Sequence, residues 1–253
     1  MGLHVDLTER RVLVTGATSG IGAAAARSIV ACGGYVAMLA RRQDRLDSLC
    51  DELGKRSVGV RADVTDLEEL EAAIDEAARL LGGVDSVVAS AGKSMTGTIA
   101  TGTPERWREL LDLNLVAPLA TVRCAVRHFP RTGRRDVVLV GSAGSITPVP
   151  GVAIYAASKR GLRAAFDSLR LELAPSGINV GLVMPGMFET EGLTLDGLVI
   201  DGEVPLYDLP YFVPGTGPAA PAPLGDVIAF MIGLPEGVAI NELVVRPTGE
   251  LNP

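Results

Sequence analysis

The chain has 253 residues, which is enough for one large α/β domain or two small ones. Hydrophobic residues make up 47% of it and aromatic residues only 4%, so the core has to be built from Ala, Val, Leu and Ile. The net charge of −7 argues against non-specific binding to nucleic acid, but it leaves room for a local arginine site that takes one phosphorylated small molecule.

Short β-branched segments alternate with longer Ala/Leu-rich segments through the first part of the chain. In chain order the predicted elements are a strand over 11–15, a helix over 20–32, a strand over 35–40, a helix over 43–53, a strand over 57–61, a helix over 67–81 and a strand over 86–90. Paired glycines, at 33–34 and 82–83, follow two of these helices and are typical of helix ends.

The alternation continues to the end of the chain. The further predicted elements are a helical region from Pro104 to His128 that is broken near Pro118, a strand over 136–141, a helix over 155–174, a strand over 179–184 and a last strand over 242–246. This spacing predicts an α/β fold: a single doubly wound Rossmann-type domain over 1–253, with a parallel sheet of about seven strands and helices on both faces.

One long segment, 187–223, has little periodicity and is rich in proline. Such a segment inside a compact domain is usually a lid, a binding loop or a disordered stretch, and we expect it to be a substrate lid. Its apolar side chains are expected either to close a pocket for a hydrophobic carbonyl compound or to pack against a neighbouring subunit or the domain itself. These residues are Phe188, Leu193, Leu195, Leu198, Val199, Ile200, Leu206, Tyr207, Leu209, Tyr211 and Phe212.

Metal and disulfide chemistry have little support in the sequence. Cys32, Cys50 and Cys124 lack metal-ligand spacing, and His4 and His128 are far apart and belong to no motif. No apolar run approaches the ~18 residues of a membrane span, and the N-terminus has no apolar signal core. We therefore expect a cytoplasmic protein without metal, membrane or nucleic-acid partners.

A glycine-rich segment, 15–22, joins the first predicted strand to the first predicted helix. Gly16, Gly20 and Gly22 allow a tight turn and close approach of the backbone to a ligand. The helix N-terminus then offers free N–H groups and the positive end of its dipole to a pyrophosphate. In this strand–turn–helix context the segment predicts dinucleotide binding rather than a purely structural turn.

The end of the second predicted strand carries two arginines. An acidic residue here would accept hydrogen bonds from the adenosine ribose, but Ala40 cannot, whereas Arg41 and Arg42 would attract a 2′-phosphate. The sequence therefore predicts NADP(H) in preference to NAD(H). The alternative is that both arginines are solvated at the start of a helix.

Tyr155 and Lys159 are four residues apart, which places them on one face of a helix. A positive charge next to a phenol favours phenolate, so Lys159 would lower the pKa of Tyr155 and make it a usable acid–base group. By itself, a tyrosine four residues before a lysine also occurs by chance on many amphipathic helices.

Taken together, these motifs resemble the short-chain dehydrogenase/reductase family in its single-domain form, over about residues 7–248. Segment 15–22 looks like the family's cofactor loop, and the pair at 63–64 matches the Asp-Val that holds the adenine. Asn114 falls where the family has an Asn, Ser142 lies thirteen residues before Tyr155, and segment 185–190 resembles the turn that receives the nicotinamide amide.

The resemblance implies a role for each catalytic position. Tyr155 would protonate the substrate oxygen, Lys159 would tune Tyr155 and bind the nicotinamide ribose, Ser142 would hold the substrate oxygen and Asn114 would support a proton path to Lys159. Taken alone, Ser142 or Asp63 could merely cap a turn or helix, and Asn114 could be a buried polar group. The expected cofactor contacts are Gly16, Thr18, Ser19, Gly20, Ile21, Gly22, Arg41, Arg42, Asp63, Val64, Ala91, Gly92, Tyr155, Lys159, Pro185, Gly186, Phe188 and Thr190.

The chain departs from the family pattern at two places. The usual Asn-Asn-Ala-Gly is Ala-Ser-Ala-Gly at 89–92, which removes two amides and puts the support of this loop in doubt. Phe188 stands where relatives often have a small branched residue, so nicotinamide contacts are expected to differ.

The expected function is transfer of a hydride between NADP(H) and a carbonyl or secondary alcohol substrate. The alternative is a non-catalytic NADP(H)-binding regulatory or scaffold protein on the same fold, which would have no need to keep Ser142, Tyr155 and Lys159 together. Within enzymes, a 3-oxoacyl-carrier-protein reductase stays open, although no basic docking patch is evident. By analogy with relatives, we expect a homo-oligomer, either a tetramer or a dimer.

Overall fold

The computed structural model describes residues 5–146, 151–191, 199–200, 204–205 and 212–251. The strands are β1 (Arg11–Thr15), β2 (Tyr35–Ala40), β3 (Ser57–Arg61), β4 (Ser86–Ala89), β5 (Arg135–Val140), β6 (Ile178–Pro185), β7 (Val199–Ile200), β8 (Val204–Pro205) and β9 (Glu242–Val245). The α-helices are α1 (Gly20–Ala31), α2 (Gln43–Leu53), α3 (Leu67–Leu81), α4 (Pro104–Leu111), α5 (Ala117–Ala125), α6 (Ala153–Leu173) and α7 (Ala222–Ile232).

The main sheet has seven strands in the order β3-β2-β1-β4-β5-β6-β9, and all its neighbours are parallel. The predicted doubly wound α/β fold with a sheet of about seven strands is therefore confirmed. The strand order reverses between β1 and β4, and a ligand crevice is expected outside the carboxyl ends of the strands at such a point. The short strands β7 and β8 pair antiparallel, apart from the main sheet.

Both faces of the sheet are covered, which explains why its strands are almost continuously apolar. Successive residues of β1 belong to opposite sides: Leu13 packs with α3, α5 and α6, whereas Val12 and Val14 pack with α1, α2 and α7. The core is aliphatic, as the composition predicted, and these three β1 side chains are fully buried.

Helix α7 corrects the sequence analysis, which assigned no element to this part of the chain. It packs against α1 so closely that a Cβ on Gly225 would lie 2.4 Å from the carbonyl oxygen of Ala24. A short, almost wholly apolar run gives no clear period and cannot be told from a buried strand by its pattern. The proline-rich residues before it also conceal where the helix begins.

Two helix boundaries differ from the prediction as well. Helix α6 begins at Ala153, two residues before Tyr155, so the tyrosine lies inside the first turn. The expected break near Pro118 is instead a π-helical turn over Asp112–Val116, followed directly by α5. Pro118 lies in the first turn of α5, directly after the π-helical turn.

Part of the predicted lid can be described and part cannot. Phe188 is buried, and its backbone forms an isolated bridge with Ala219. Val199 and Ile200 form β7. The other apolar residues of the prediction lie outside the described residues, except Phe212: they are Leu193, Leu195, Leu198, Leu206, Tyr207, Leu209 and Tyr211. His4 also lies outside them.

Candidate active site

A cleft of about 510 Å³ opens at the carboxyl ends of the strands. Its walls come from the segments that follow β1, β2, β3, β4, β5 and β6, together with α6. The predicted site residues that line it are Gly16, Thr18, Ser19, Gly20, Ile21, Arg41, Arg42, Asp63, Val64, Ala91, Gly92, Ser142, Tyr155, Lys159, Pro185, Gly186, Phe188 and Thr190. The other two predicted residues, Gly22 and Asn114, lie behind this lining.

Segment 15–22, the phosphate loop, contains two glycines that are required by a close backbone approach. Gly16 has a φ of +67°, and a Cβ added to it would lie 2.8 Å from the Cα of Ala91. A Cβ on Gly22 would lie 2.4 Å from the carbonyl oxygen of Gly16. Helix α1 then begins without a side-chain cap from Ser19 and without an acidic residue in its first turn. Its N-terminus is therefore well suited to an anion such as a pyrophosphate.

The two arginines after β2 have different surroundings. Arg42 donates hydrogen bonds to Thr18 Oγ1 of the phosphate loop (3.3 Å) and to Glu191 Oε2 (2.7 Å). Arg41 is 72% exposed, with its Nη1 3.7 Å from Asp63 Oδ2. The alternative of two solvated arginines thus describes Arg41 better than Arg42, which lies directly beside the loop.

Glu191 was not singled out from the sequence, yet it pairs with both Arg42 and Arg45. Hydrogen bonds from these two arginines lower the pKa of Glu191, so it is an anion near neutral pH. Only proximity in the fold links residue 191 to residues 42 and 45, because they are far apart in sequence. A carboxylate here competes for the same guanidinium groups that a ligand phosphate would use.

Asp63 follows β3 and faces the cleft, but it does not cap the next helix. That cap is Asp66, whose side chain accepts hydrogen bonds from the N–H groups of Glu68 and Glu69. Burial alone would raise the pKa of Asp63, but hydrogen bonds from Thr65 and the nearby charge of Arg41 together hold it below its usual value. The carboxylate is therefore charged and remains able to accept a hydrogen bond from a ligand.

The loop after β4 is supported in spite of its missing asparagines. Thr15 Oγ1 accepts hydrogen bonds from the N–H groups of Ser90 (3.2 Å) and Ala91 (3.4 Å). A Cβ on Gly92 would lie 3.1 Å from Asn114 Oδ1 and 3.4 Å from Lys159 Nζ. Gly92 therefore lets the loop approach Lys159.

Asn114 lies in the π-helical turn and is fully buried behind that loop. Its Nδ2 donates to the carbonyl oxygen of Lys93 (2.9 Å) and to Ser158 Oγ (3.2 Å), and its Oδ1 accepts from Lys93 N (3.0 Å). Ser158 Oγ in turn donates to the carbonyl oxygen of Tyr155 (2.7 Å). The asparagine thus connects the β4 loop to the start of α6.

Ser142 and Tyr155 come together from β5 and α6. Ser142 Oγ accepts a hydrogen bond from Gly144 N (3.1 Å), so it does cap a turn, and it also hydrogen-bonds Tyr155. Arg160, which the sequence analysis missed, holds this turn by donating to the carbonyl oxygens of Ser145 (2.7 Å) and Ile146 (3.1 Å). The turn that carries Ser142 is thereby fixed against α6.

The expected lowering of the Tyr155 pKa is wrong for this geometry. Burial raises the pKa of Tyr155, and the hydrogen bond with Ser142 offsets only part of that rise. Lys159 Nζ donates instead to the carbonyl oxygen of Val140 (3.0 Å), and burial lowers the pKa of Lys159 to about 8. Near neutral pH the phenol is therefore protonated and the lysine mostly charged.

Two charged residues near the C-terminus, Arg246 and Glu250, also line the cleft and were missed. The only sequence signal was a pair of opposite charges four residues apart after the last strand. Among the described residues, no group of three or more His, Cys, Asp or Glu could hold a metal ion. No helix in the described part of the chain is long and apolar enough to cross a membrane.

The sequence profile of the short chain dehydrogenase family matches residues 10–195. The chain is 34% identical to the glycine betaine reductase ATRR of Emericella nidulans over 248 residues, which are 96% of this chain but only 19% of that protein. It is 37% identical to an uncharacterised oxidoreductase of Mycobacterium tuberculosis over 191 residues, covering 73% of this chain and 76% of the relative.

Solved structures agree with the sequence relatives. A dehydrogenase/reductase from Sinorhizobium meliloti superposes with a TM-score of 0.84 at 30% identity and covers 96% of both chains. A short chain dehydrogenase from Burkholderia cenocepacia, solved in complex with NADP, has a TM-score of 0.81 at 29% identity and covers 95% of this chain and 97% of its own.

Proposed function

The chain belongs to the short-chain dehydrogenase family, and from that premise we propose that it is an NADP(H)-dependent oxidoreductase that interconverts a carbonyl compound and a secondary alcohol. Oxidoreductase relatives and an NADP-bound structural neighbour support the reaction class. The observation that carries the proposal is that Ser142, Tyr155 and Lys159 line the same cleft as the phosphate loop.

The residues at the adenosine end fit a dinucleotide. Gly16 and Gly22 allow the backbone of the phosphate loop to pack closely, because a Cβ at either position would clash. Helix α1 has no side-chain cap at its N-terminus, and Arg42 lies beside Thr18. In the proposal the phosphate loop holds the pyrophosphate, Asp63 the adenine and Arg42 the 2′-phosphate. When bound, the nicotinamide supplies the hydride for reduction or accepts it in oxidation.

Residues of the chain then bind the substrate oxygen and donate a proton to it. Ser142 hydrogen-bonds the substrate oxygen, and Tyr155 donates its phenolic proton to that oxygen as negative charge develops there. The raised pKa of Tyr155 keeps this proton in place near neutral pH, which suits the donor role. Lys159 places a positive charge at the buried end of the cleft and offers N–H donors to a ribose.

The proposal is tested with purified protein, NADPH and a panel of ketones and aldehydes. We expect carbonyl-dependent oxidation of NADPH, with NADH a poorer donor. A protein that binds NADPH tightly but oxidises it with no compound of the panel would fit the regulatory or scaffold alternative instead. Turnover of small charged hydroxy acids alone would contradict the expected apolar pocket.

Arg42→Ala tests the choice of cofactor. Because a charge-assisted hydrogen bond contributes about 1.5–3 kcal/mol, we expect kcat/KM for NADPH to fall about 10- to 100-fold, with NADH changed less than about 2-fold. The matched control is Arg79→Ala on α3, which removes an arginine paired only with Glu76 on the surface. An unchanged ratio of NADPH to NADH activity would refute the assignment of Arg42.

The finer predictions remain proposals. They are a substrate lid over 187–223, a hydrophobic carbonyl substrate, a homo-oligomer and a cytoplasmic setting. The 3-oxoacyl-carrier-protein reductase stays open as a narrower activity within the same reaction class.

A further inference from the structure

The carboxylate of Glu250 is buried in the wall of the cleft, next to the turn after β6. Its side chain is only 3% exposed, and its Oε2 accepts a hydrogen bond from the N–H of Met187 at 2.8 Å. The neighbouring Gly186 N–H donates to the carbonyl oxygen of Val245 at 2.8 Å. The C-terminal segment is therefore bonded twice, at consecutive residues, to this turn.

Glu250 lies so close to Gly186 that a larger residue at 186 would displace its carboxylate. A Cβ added to Gly186 would lie 2.1 Å from Glu250 Oε2 and 2.8 Å from its Cδ. The carboxylate thus occupies the space that any other residue at 186 would need. The glycine of the Pro-Gly turn is explained by this contact, since its φ does not require glycine.

A buried carboxylate is costly unless its charge and its lone pairs are satisfied. The Met187 N–H satisfies one oxygen of Glu250, and Arg246 Nη1 lies 3.6 Å from the other. Arg246 also lines the cleft and is 21% exposed. This arrangement keeps the carboxylate of Glu250 aimed at the turn and shielded from water.

We propose that Glu250 is a positioning residue: it holds the turn at 185–187 in the shape that receives the nicotinamide end of the cofactor, through its bond to Met187 N–H. The inference rests on the proposed function and on the expectation, from the resemblance of segment 185–190 to the family's turn, that this turn receives the nicotinamide. Glu250 bonds to Met187 of this turn, whereas Arg42 bonds to Thr18 of the phosphate loop and to Glu191, so we expect Glu250 to act on the nicotinamide half of the cofactor site. Loss of the Glu250 side chain should therefore weaken binding of the nicotinamide half of the cofactor and leave binding of the adenosine half unchanged.

The test uses full-length Glu250→Ala and Glu250→Gln, with Glu236→Ala as a matched control at an exposed position. Affinities are measured for NADPH and for adenosine 2′,5′-bisphosphate, which carries only the adenosine half, and kcat is measured with a reducible carbonyl compound. For Glu250→Ala we expect NADPH affinity and kcat each to fall about 10-fold, with affinity for the bisphosphate unchanged. Glu250→Gln keeps an acceptor oxygen, so it should recover NADPH affinity to within about 3-fold of the wild type.

Gly186→Ala provides the same test from the other partner, should the Glu250→Ala protein fail to fold. It displaces the carboxylate by steric contact, so we expect the same selective loss of NADPH affinity. The positioning role would be overturned if Glu250→Ala lowered the affinities for NADPH and for the bisphosphate equally, or if it changed neither affinity nor kcat. In either case, turnover by the wild-type protein would leave the proposed function intact. A wild-type protein that binds neither ligand would refute the proposed function itself, and the inference with it.

Discussion

Tyr155→Phe is expected to lower kcat for carbonyl reduction by about 10²- to 10⁴-fold while leaving NADPH affinity within about 3-fold of the wild type. The phenylalanine ring fills the same space but has no proton to give, and general acid catalysis contributes a factor of this size. Ser142 loses a partner, but Lys159 keeps its bond to the carbonyl oxygen of Val140. The measurement is single-turnover oxidation of bound NADPH with a ketone in excess.

The matched control is Tyr35→Phe, which removes a phenolic hydroxyl at the start of β2. Tyr35 lies outside the cleft lining and contacts the guanidinium groups of Arg11 and Arg56 through its ring, which the phenylalanine keeps. We expect its kcat to match the wild type. Near-normal turnover by Tyr155→Phe would mean that another group protonates the substrate, and the assignment of Tyr155 would be wrong.

Gly22→Ala is expected to raise the Kd for NADPH about 10- to 100-fold and to destabilise the protein by about 1–3 kcal/mol. The added methyl group would lie 2.4 Å from the carbonyl oxygen of Gly16, so the first turn of α1 and the phosphate loop have to move apart. Overpacking of a close contact costs this much, and it misplaces the backbone that receives the pyrophosphate. Calorimetric titration and urea unfolding measure the two effects.

Gly217→Ala is the control for this substitution, because a Cβ there would meet nothing within 4 Å and the residue has no positive φ. Its NADPH affinity and its free energy of unfolding should match those of the wild type. A Gly22→Ala protein with unchanged NADPH affinity would show that the segment 15–22 is a structural turn, which was the alternative in the sequence analysis.

The sequence predicted most of the sheet because its strands are local patterns. β1 to β5 were predicted within about one residue at each end, since short β-branched runs bounded by glycine or by charges carry that information themselves. Helix α7 was missed because a buried helix that is apolar on nearly every side has no amphipathic period. Its partner is α1, almost two hundred residues earlier, and only packing against it decides the conformation.

The residues of the candidate site also fall into two groups, those that a local pattern predicts and those that depend on contacts between distant segments. Residues within one strand–turn–helix unit, such as Gly16 and Ser19, could be found from their spacing. Glu191 and Glu250 could not, because their bonds to Arg42 and to Met187 form only when distant segments of the chain meet at the carboxyl ends of the strands.

The environment of Tyr155 and Lys159 could not be predicted from the sequence either. The spacing of Tyr155 and Lys159 predicted that both lie on one face of α6, but it said nothing of how deeply the fold buries them. Burial raises the pKa of the phenol and lowers the pKa of the lysine to about 8, so desolvation is the largest cause of both shifts.

The most direct test of the proposed reaction follows the hydride itself. The wild-type protein is incubated with NADPH that carries deuterium at both C4 positions and with the panel of ketones and aldehydes, and the products are analysed by mass spectrometry. The proposed function predicts an alcohol that contains one deuterium on its carbinol carbon, formed by the wild type and strongly reduced with Tyr155→Phe. Tight binding of the labelled NADPH without deuterium in any product would contradict it and would favour a regulatory or scaffold protein.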